Sequence, residues 1–245
     1  MTLSRLVILP GLLCDRSLFA AQVAALDAVV VGGFYGNADS IGAMADYALA
    51  KMPQEAVLLG HSMGGRVALE MWRRAPDRIA GIAIANSGVH PVRPGEAEAR
   101  YALLALGRSA GDRALVDRWL PPMLAPGTRT DGPVYRTLYS MATAAGVDVF
   151  AAQIHALLTR PDAEAVLPTL TCPVAIIGAE HDNWSPVAQQ EAIAAATPSA
   201  ALTILANAGH MAPAEAPDAF TRAVADWLAR IDKKPSYLPK QSMQS

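Results

Sequence analysis

The 245-residue sequence has little cysteine, few aromatic side chains and little charge. Its two cysteines, Cys14 and Cys172, cannot build a disulfide framework, so a hydrophobic core has to hold the fold; both read as thiols in a reducing compartment. Charged residues make up 17% and the formal charge is −2, which excludes the strong one-sign field that suits nucleic acid or an anionic membrane surface. No run approaches the roughly 20 apolar residues of a membrane helix without charges or Pro/Gly breaks. The apolar stretch at 6–9 stops at Pro10-Gly11, too early for the core of a signal peptide. These absences lead to the expectation of a cytoplasmic protein that works on a small-molecule substrate, with neither nucleic acid nor membrane as partner. They say nothing about oligomeric state.

What is abundant is hydrophobicity, at 52% of residues, in a globular rather than a disordered composition. The length suits one large α/β domain or one domain with an insertion. Short apolar runs at 6–9, 28–31, 56–59, 79–85, 174–177 and 201–205 are nearly continuous, as strands covered by helices on both faces are. Between them lie helical patterns. Val67, Ala68, Met71 and Trp72 recur at helical spacing until Ala75-Pro76, and Phe220, Val224, Trp227, Leu228 and Ile231 form one closing stripe. The predicted fold is α/β, with a mostly parallel sheet of about six strands flanked by helices. Over 90–170 the alternation breaks. Helices are predicted near 97–106, 112–120 and 134–145, and another carries Phe150, Ile154, Leu157 and Leu158 with Asp148 as its N-cap. The predicted organisation is a core at 1–89 and 171–232, a helical lid inserted at 90–170, and a polar tail at 233–245.

Gly60-His61-Ser62-Met63-Gly64-Gly65 carries the chemistry. A bare G-x-S-x-G arises by chance in about one chain in ten of this length. Here an apolar strand pattern ends directly before it and an amphipathic helix begins directly after it. That setting puts Ser62 on a tight strand-to-helix turn, with glycines where the backbone crowds and helix N–H groups facing the hydroxyl.

With that motif in that setting, the sequence resembles the α/β-hydrolase superfamily over about residues 5–231, and in particular its serine esterase- and lactonase-like members. The resemblance implies an α/β-hydrolase fold and an order of nucleophile, acid and histidine, each on a turn after a strand. His210, in Ala208-Gly209-His210-Met211 after the last predicted strand, matches the catalytic histidine. Asp182, in Gly178-Ala179-Glu180-His181-Asp182, matches the acid in a turn lengthened by one residue; Glu180 competes with it, and 85–88 after the earlier strand has no carboxylate. The residue after the nucleophile, Met63, would supply one oxyanion N–H. The second would come from the Pro10-Gly11-Leu12-Leu13 loop, where proline replaces the usual histidine, with Leu12 as first choice and Leu13 next. His61, His181, Asp182 and His210 match no zinc spacing, and His61 is expected to bond within its own turn. Neither a metal nor a cofactor is expected.

Substrate is the least legible feature. Candidate pocket residues are Leu13, Trp119, Met123, Phe150 and Trp184, with Leu103, Tyr139, Met141 and Ile154 behind them, and no arginine cluster forms a recognisable anion motif. The reaction implied is hydrolysis of a small-to-medium, largely apolar carboxylic ester, lactone or thioester through an acyl-enzyme on Ser62. The same framework also serves carbon–carbon-bond hydrolases, lyases and cofactor-free oxygenases or haloperoxidases, and receptors that keep the triad but turn over slowly.

Overall fold

The computed structural model describes residues 5–232; the predicted polar tail lies outside the described residues. Six strands, β1 (Arg5–Leu9), β2 (Val29–Val30), β3 (Ala56–His61), β4 (Ile79–Ala85), β5 (Val174–Ala179) and β6 (Ala201–Leu205), form one sheet in the order β2-β1-β3-β4-β5-β6. All five neighbouring pairs are parallel. From β1 the chain first adds β2 on one side and then β3 on the other. That reversal makes a switch point at the carboxyl ends of β1 and β3, where α/β sheets open a crevice for ligands. β1 and β3 pair from Arg5↔Ala56 to Leu9↔Gly60, so the Pro10 loop and the Ser62 turn leave the sheet side by side.

Alternation along the strands builds a core on each face. Leu6 and Ile8 of β1, with Val57 and Leu59 of β3, pack toward α9 (Pro217–Asp232), which brings Phe220, Val224 and Trp227. Val7 and Leu9, with Leu58, face α2 (Ile41–Lys51) and α3 (Met63–Arg74), where Met44, Val67 and Met71 are buried. The sheet edges are thinner. β2 pairs over only two residues, and Leu202 of β6 is 39% exposed.

Between β4 and β5 lie α4 (Glu96–Ala110), α5 (Asp112–Trp119) and α6 (Pro133–Leu158). Trp119, Leu138, Met141, Phe150 and Ile154 from these helices join the same buried cluster as Leu6 and Ile8, so the inserted helices share the core of the sheet. α6 is long and apolar enough, by length and composition, to cross a membrane, although Arg136, Gly146 and Asp148 interrupt its apolar run. Its apolar face is spent on the core, and the helix breaks at Gly146 (φ 79, ψ 173). Past the break, the Val147 N–H donates to Asp112 Oδ1 at 2.8 Å. The cap predicted at Asp148 therefore comes from Asp112. The left-handed glycine turns the chain so that the orphan N–H opening the second segment points at the start of α5, a tertiary partner that local pattern cannot supply.

Candidate active site

β3 delivers His61 and then turns sharply. Ser62 sits at φ 54, ψ −120, a costly conformation for a residue with a side chain. Neighbours hold it there: its N–H donates to Ala85 O at 2.9 Å, and its carbonyl accepts the Ser87 hydroxyl at 2.6 Å and the Gly65 N–H at 3.0 Å. Crowding explains the glycine two positions on. A Cβ at Gly64 would collide with the carbonyl oxygen of Leu9 and lie 2.8 Å from that of Pro10. The turn is strained, locked and pushed against the loop after β1.

Three side chains from three turns meet above the sheet. The Ser62 hydroxyl donates to His210 Nε2 at 2.8 Å, and His210 Nδ1–H donates to Asp182 Oδ2 at 2.9 Å. His210 and Asp182 are both buried. Asp182 Oδ2 also accepts from Asn86 Nδ2 at 2.9 Å, while Oδ1 accepts the N–H groups of Trp184 and Ser185 at 2.8 and 2.9 Å. Burial alone would raise this carboxyl; the His210 charge and the hydrogen bonds from His210, Asn86 and Ser185 overcome it and hold the pKa at about 2. Glu180 stands apart, with its side chain half exposed and Oε2 accepting the Asn207 N–H at 3.0 Å.

The loop that carries His210 is tied to the inserted helices. His210 N–H donates to Met123 O at 2.8 Å, and the Glu215 carboxylate collects the N–H groups of Ala125 and Gly209 and the Thr128 hydroxyl. Asn86, Gln153 and Glu215 were missed at the sequence level. Asn86 had a signal, since it is the first residue after β4. His61 does not bond within its own turn: its Nε2–H donates to His210 O at 2.8 Å, and Phe19 packs edge-on at 5.8 Å between ring centroids. The fully buried ring is drawn across to the His210 loop, so it positions the neighbouring imidazole.

Burial, reinforced by the nearby His210 charge, pushes His61 down to about 3. In the unfolded chain a histidine titrates near 6.5. Below that value the unfolded state takes up a proton that the folded state refuses, so the stability present above about pH 6.5 is lost as pH falls toward 3. Between about pH 7.5 and pH 5 this group alone is expected to cost about 2 kcal/mol. His61→Gln is expected to remove that part of the acid loss, read as the change in urea midpoint between the two pH values. An unchanged pH dependence in the variant would rule it out.

The Leu13 N–H donates to Gln153 Oε1 of α6 at 2.8 Å and is thus occupied. The N–H groups of Leu12 and Met63 find no partner among the described residues. A cavity of about 420 Å³ opens over Ser62 and His210, with Leu12, Trp119, Met123 and Trp184 in its walls. Leu13 and Phe150 do not line it; both are fully buried, consumed by packing beneath the site. Leu103, Tyr139, Met141 and Ile154 are not in its lining either. The lining does include Arg66, Arg93, Arg100 and Arg160, a cluster scattered along the chain and invisible as a motif.

The family model described as Alpha/beta hydrolase family matches residues 6–223. The chain belongs to the alpha/beta hydrolase family. It is similar to a protein of Variovorax paradoxus provisionally named a carbamate hydrolase, at 28% identity over 203 residues, covering 76% of this chain and 75% of the relative. Among solved structures it resembles a thermophilic esterase from Thermogutta terrifontis at 26% identity and a TM-score of 0.82, covering 93% of this chain and 90% of that one. It also resembles the enol-lactonase from Burkholderia xenovorans at 25% identity and a TM-score of 0.80, covering 94% and 92%.

Proposed function

We propose that this chain hydrolyses small-to-medium carboxylic esters or lactones through an acyl-enzyme on Ser62. The observation that carries the reading is the unbroken hydrogen-bonded line from Ser62 Oγ through His210 to Asp182, ending at the floor of a cavity. In this mechanism His210 Nε2 takes the hydroxyl proton as Ser62 Oγ attacks the carbonyl carbon. Asp182 holds the imidazole in the tautomer with the proton on Nδ1 and stabilises the imidazolium that forms. The free N–H groups of Leu12 and Met63 receive the oxygen that becomes negative, and the N-terminus of α3 points its positive end at the same place. His210 then returns its proton to the leaving alkoxide. A water deprotonated by His210 attacks the acyl-enzyme, and the carboxylate product leaves with Ser62 regenerated.

The apolar walls Leu12, Trp119 and Met123 suit an acyl chain. Residues 90–170 act as the lid in this reading, over a core made of 1–89 and 171–232. The similarity to an esterase and an enol-lactonase supports oxygen-ester and lactone substrates, and the carbamate-hydrolase relative makes a carbamate a necessary arm of any substrate screen.

A fluorophosphonate reports on the nucleophile directly. The expected result is one phosphonyl adduct per chain, located by peptide mass spectrometry on Ser62, with p-nitrophenyl butyrate hydrolysis lost in step with labelling. Stoichiometric labelling at another residue, or hydrolysis persisting in fully labelled protein, overturns the proposal.

A further inference from the structure

The acyl chemistry leaves the arginines of the cavity without a task. Arg66, Arg93, Arg100 and Arg160 share the lining with Ser62, and Glu96 is the one carboxylate among the lining residues. The chain as a whole carries a formal charge of −2, so the excess of positive charge is local. Glu96 is already spent. Its oxygens accept Arg160 Nη1 and Nη2 at 2.6 and 2.8 Å, Arg100 Nε and Nη2 at 3.1 and 2.9 Å, and the Arg93 N–H at 3.1 Å.

Arg66 has no such share. It is 7% exposed; Nη2 donates to His90 O at 2.9 Å, while Nη1 is buried and without a partner among the described residues. Among the described residues no carboxylate forms an ion pair or hydrogen bond with it. Burial first, and then the nearby Arg160, pull it down to about 9 against the weaker pull of Glu96 and the exposed Glu164. A buried cation nitrogen without an acceptor is costly and calls for an explanation. Arg66 lies in the first turn of α3, which begins directly after Ser62, and both residues line the same cavity.

We propose that this wall binds a carboxylate carried by the substrate, with Arg66 as the specificity-determining cation, so that the preferred substrates are half-esters or lactones bearing a second, free carboxylate. The inference rests on Ser62 as the nucleophile and names the substrate class for that site. A guanidinium matches a planar carboxylate in shape and charge, and because Arg66 is itself buried the pairing is stronger than between exposed side chains. A brace between the two ends of the inserted helices would need only the Arg160–Glu96–Arg100 triad; Arg66 and the net charge are surplus to it.

The experiment has two arms. In the first, kcat/KM is compared for monomethyl and dimethyl glutarate and for monomethyl and dimethyl adipate. The wild-type protein is expected to favour the half-ester by about tenfold or more; Arg66→Met brings the ratio close to one, and Arg66→Lys lies between. In the second, glutarate binding is measured by calorimetry. Wild type and Ser62→Ala bind it alike, and Arg66→Met binds it about tenfold more weakly. A wild-type ratio at or below one, a ratio unmoved by Arg66→Met, or no glutarate binding overturns the proposal. Wild-type selectivity and binding decide it even if no Arg66 variant folds. Glutarate binding without turnover of any ester would sink the Ser62 reading while leaving the anion site standing.

Discussion

Ser62→Ala is expected to lower kcat for an activated short-chain ester by about 10⁵–10⁶-fold, roughly 7–8 kcal/mol of transition-state stabilisation, while leaving the fold intact. The size follows from what the hydroxyl does in the proposed mechanism: it makes the bond to carbon and supplies the proton that His210 moves. Neither the Leu12 and Met63 N–H groups nor the cavity walls can replace it, so they account only for the residual rate. Stability should change little. The hydroxyl's hydrogen bond in the structure runs to His210, whose ring is held by Asp182, and the backbone at Ser62 is fixed through Ala85, Ser87 and Gly65 whatever its side chain. Thermal unfolding within about 1 kcal/mol of wild type, together with the loss of turnover, is the combination to look for. A folded Ser62→Ala protein that retains wild-type hydrolysis would remove Ser62 from the chemistry.

The same turn explains why so much of the fold was legible in the sequence. Strands buried on both faces must be nearly continuous in apolar residues, and the runs at 56–59 and 174–177 lie inside β3 and β5 for that reason. Ser62, Asp182 and His210 could each be found because each sits on a short turn directly after a strand, within a few residues of glycine. Their meeting point is set by a parallel sheet whose carboxyl ends all face one way. The features that escaped are bridges between distant segments. Gln153 reaches the Leu13 N–H from 140 residues away, and Asp112 caps a helix segment that opens 35 residues later. Arg66, Arg93, Arg100 and Arg160 lie up to 94 positions apart in the sequence, and only the fold brings them into one wall, where Arg66 and Arg160 share the His90 carbonyl and Arg100 and Arg160 share Glu96. Periodicity records which face of an element is buried. It does not record which polar atom on another element that face will meet, so the Ser62–His210–Asp182 line was readable and the cation lining of the pocket was not.

The acid at position 182 shows how strongly a site can specify one functional group. All four of its hydrogen bonds are accepted: Oδ2 from His210 and Asn86, and Oδ1 from the N–H groups of Trp184 and Ser185. An asparagine there has one oxygen and one NH₂, and whichever way it turns, the NH₂ faces a donor. Turned toward His210, it forces the imidazole into the other tautomer, with the proton on Nε2, and a nitrogen that carries a proton cannot accept the one on Ser62. Turned toward Trp184 and Ser185, it opposes two fixed backbone N–H groups and leaves the imidazolium without its counter-charge. Asp182→Asn is therefore expected to lower kcat/KM by about 10⁴-fold near neutral pH, against a change of a few-fold at most for Glu180→Gln, whose half-exposed carboxylate holds only the Asn207 N–H and stands 3.8 Å from His181. Both variants are to be checked for folding by circular dichroism before their rates are compared. If Glu180→Gln proves the more damaging of two folded proteins, the acid is Glu180, and the buried carboxylate at 182 serves only to hold the turn.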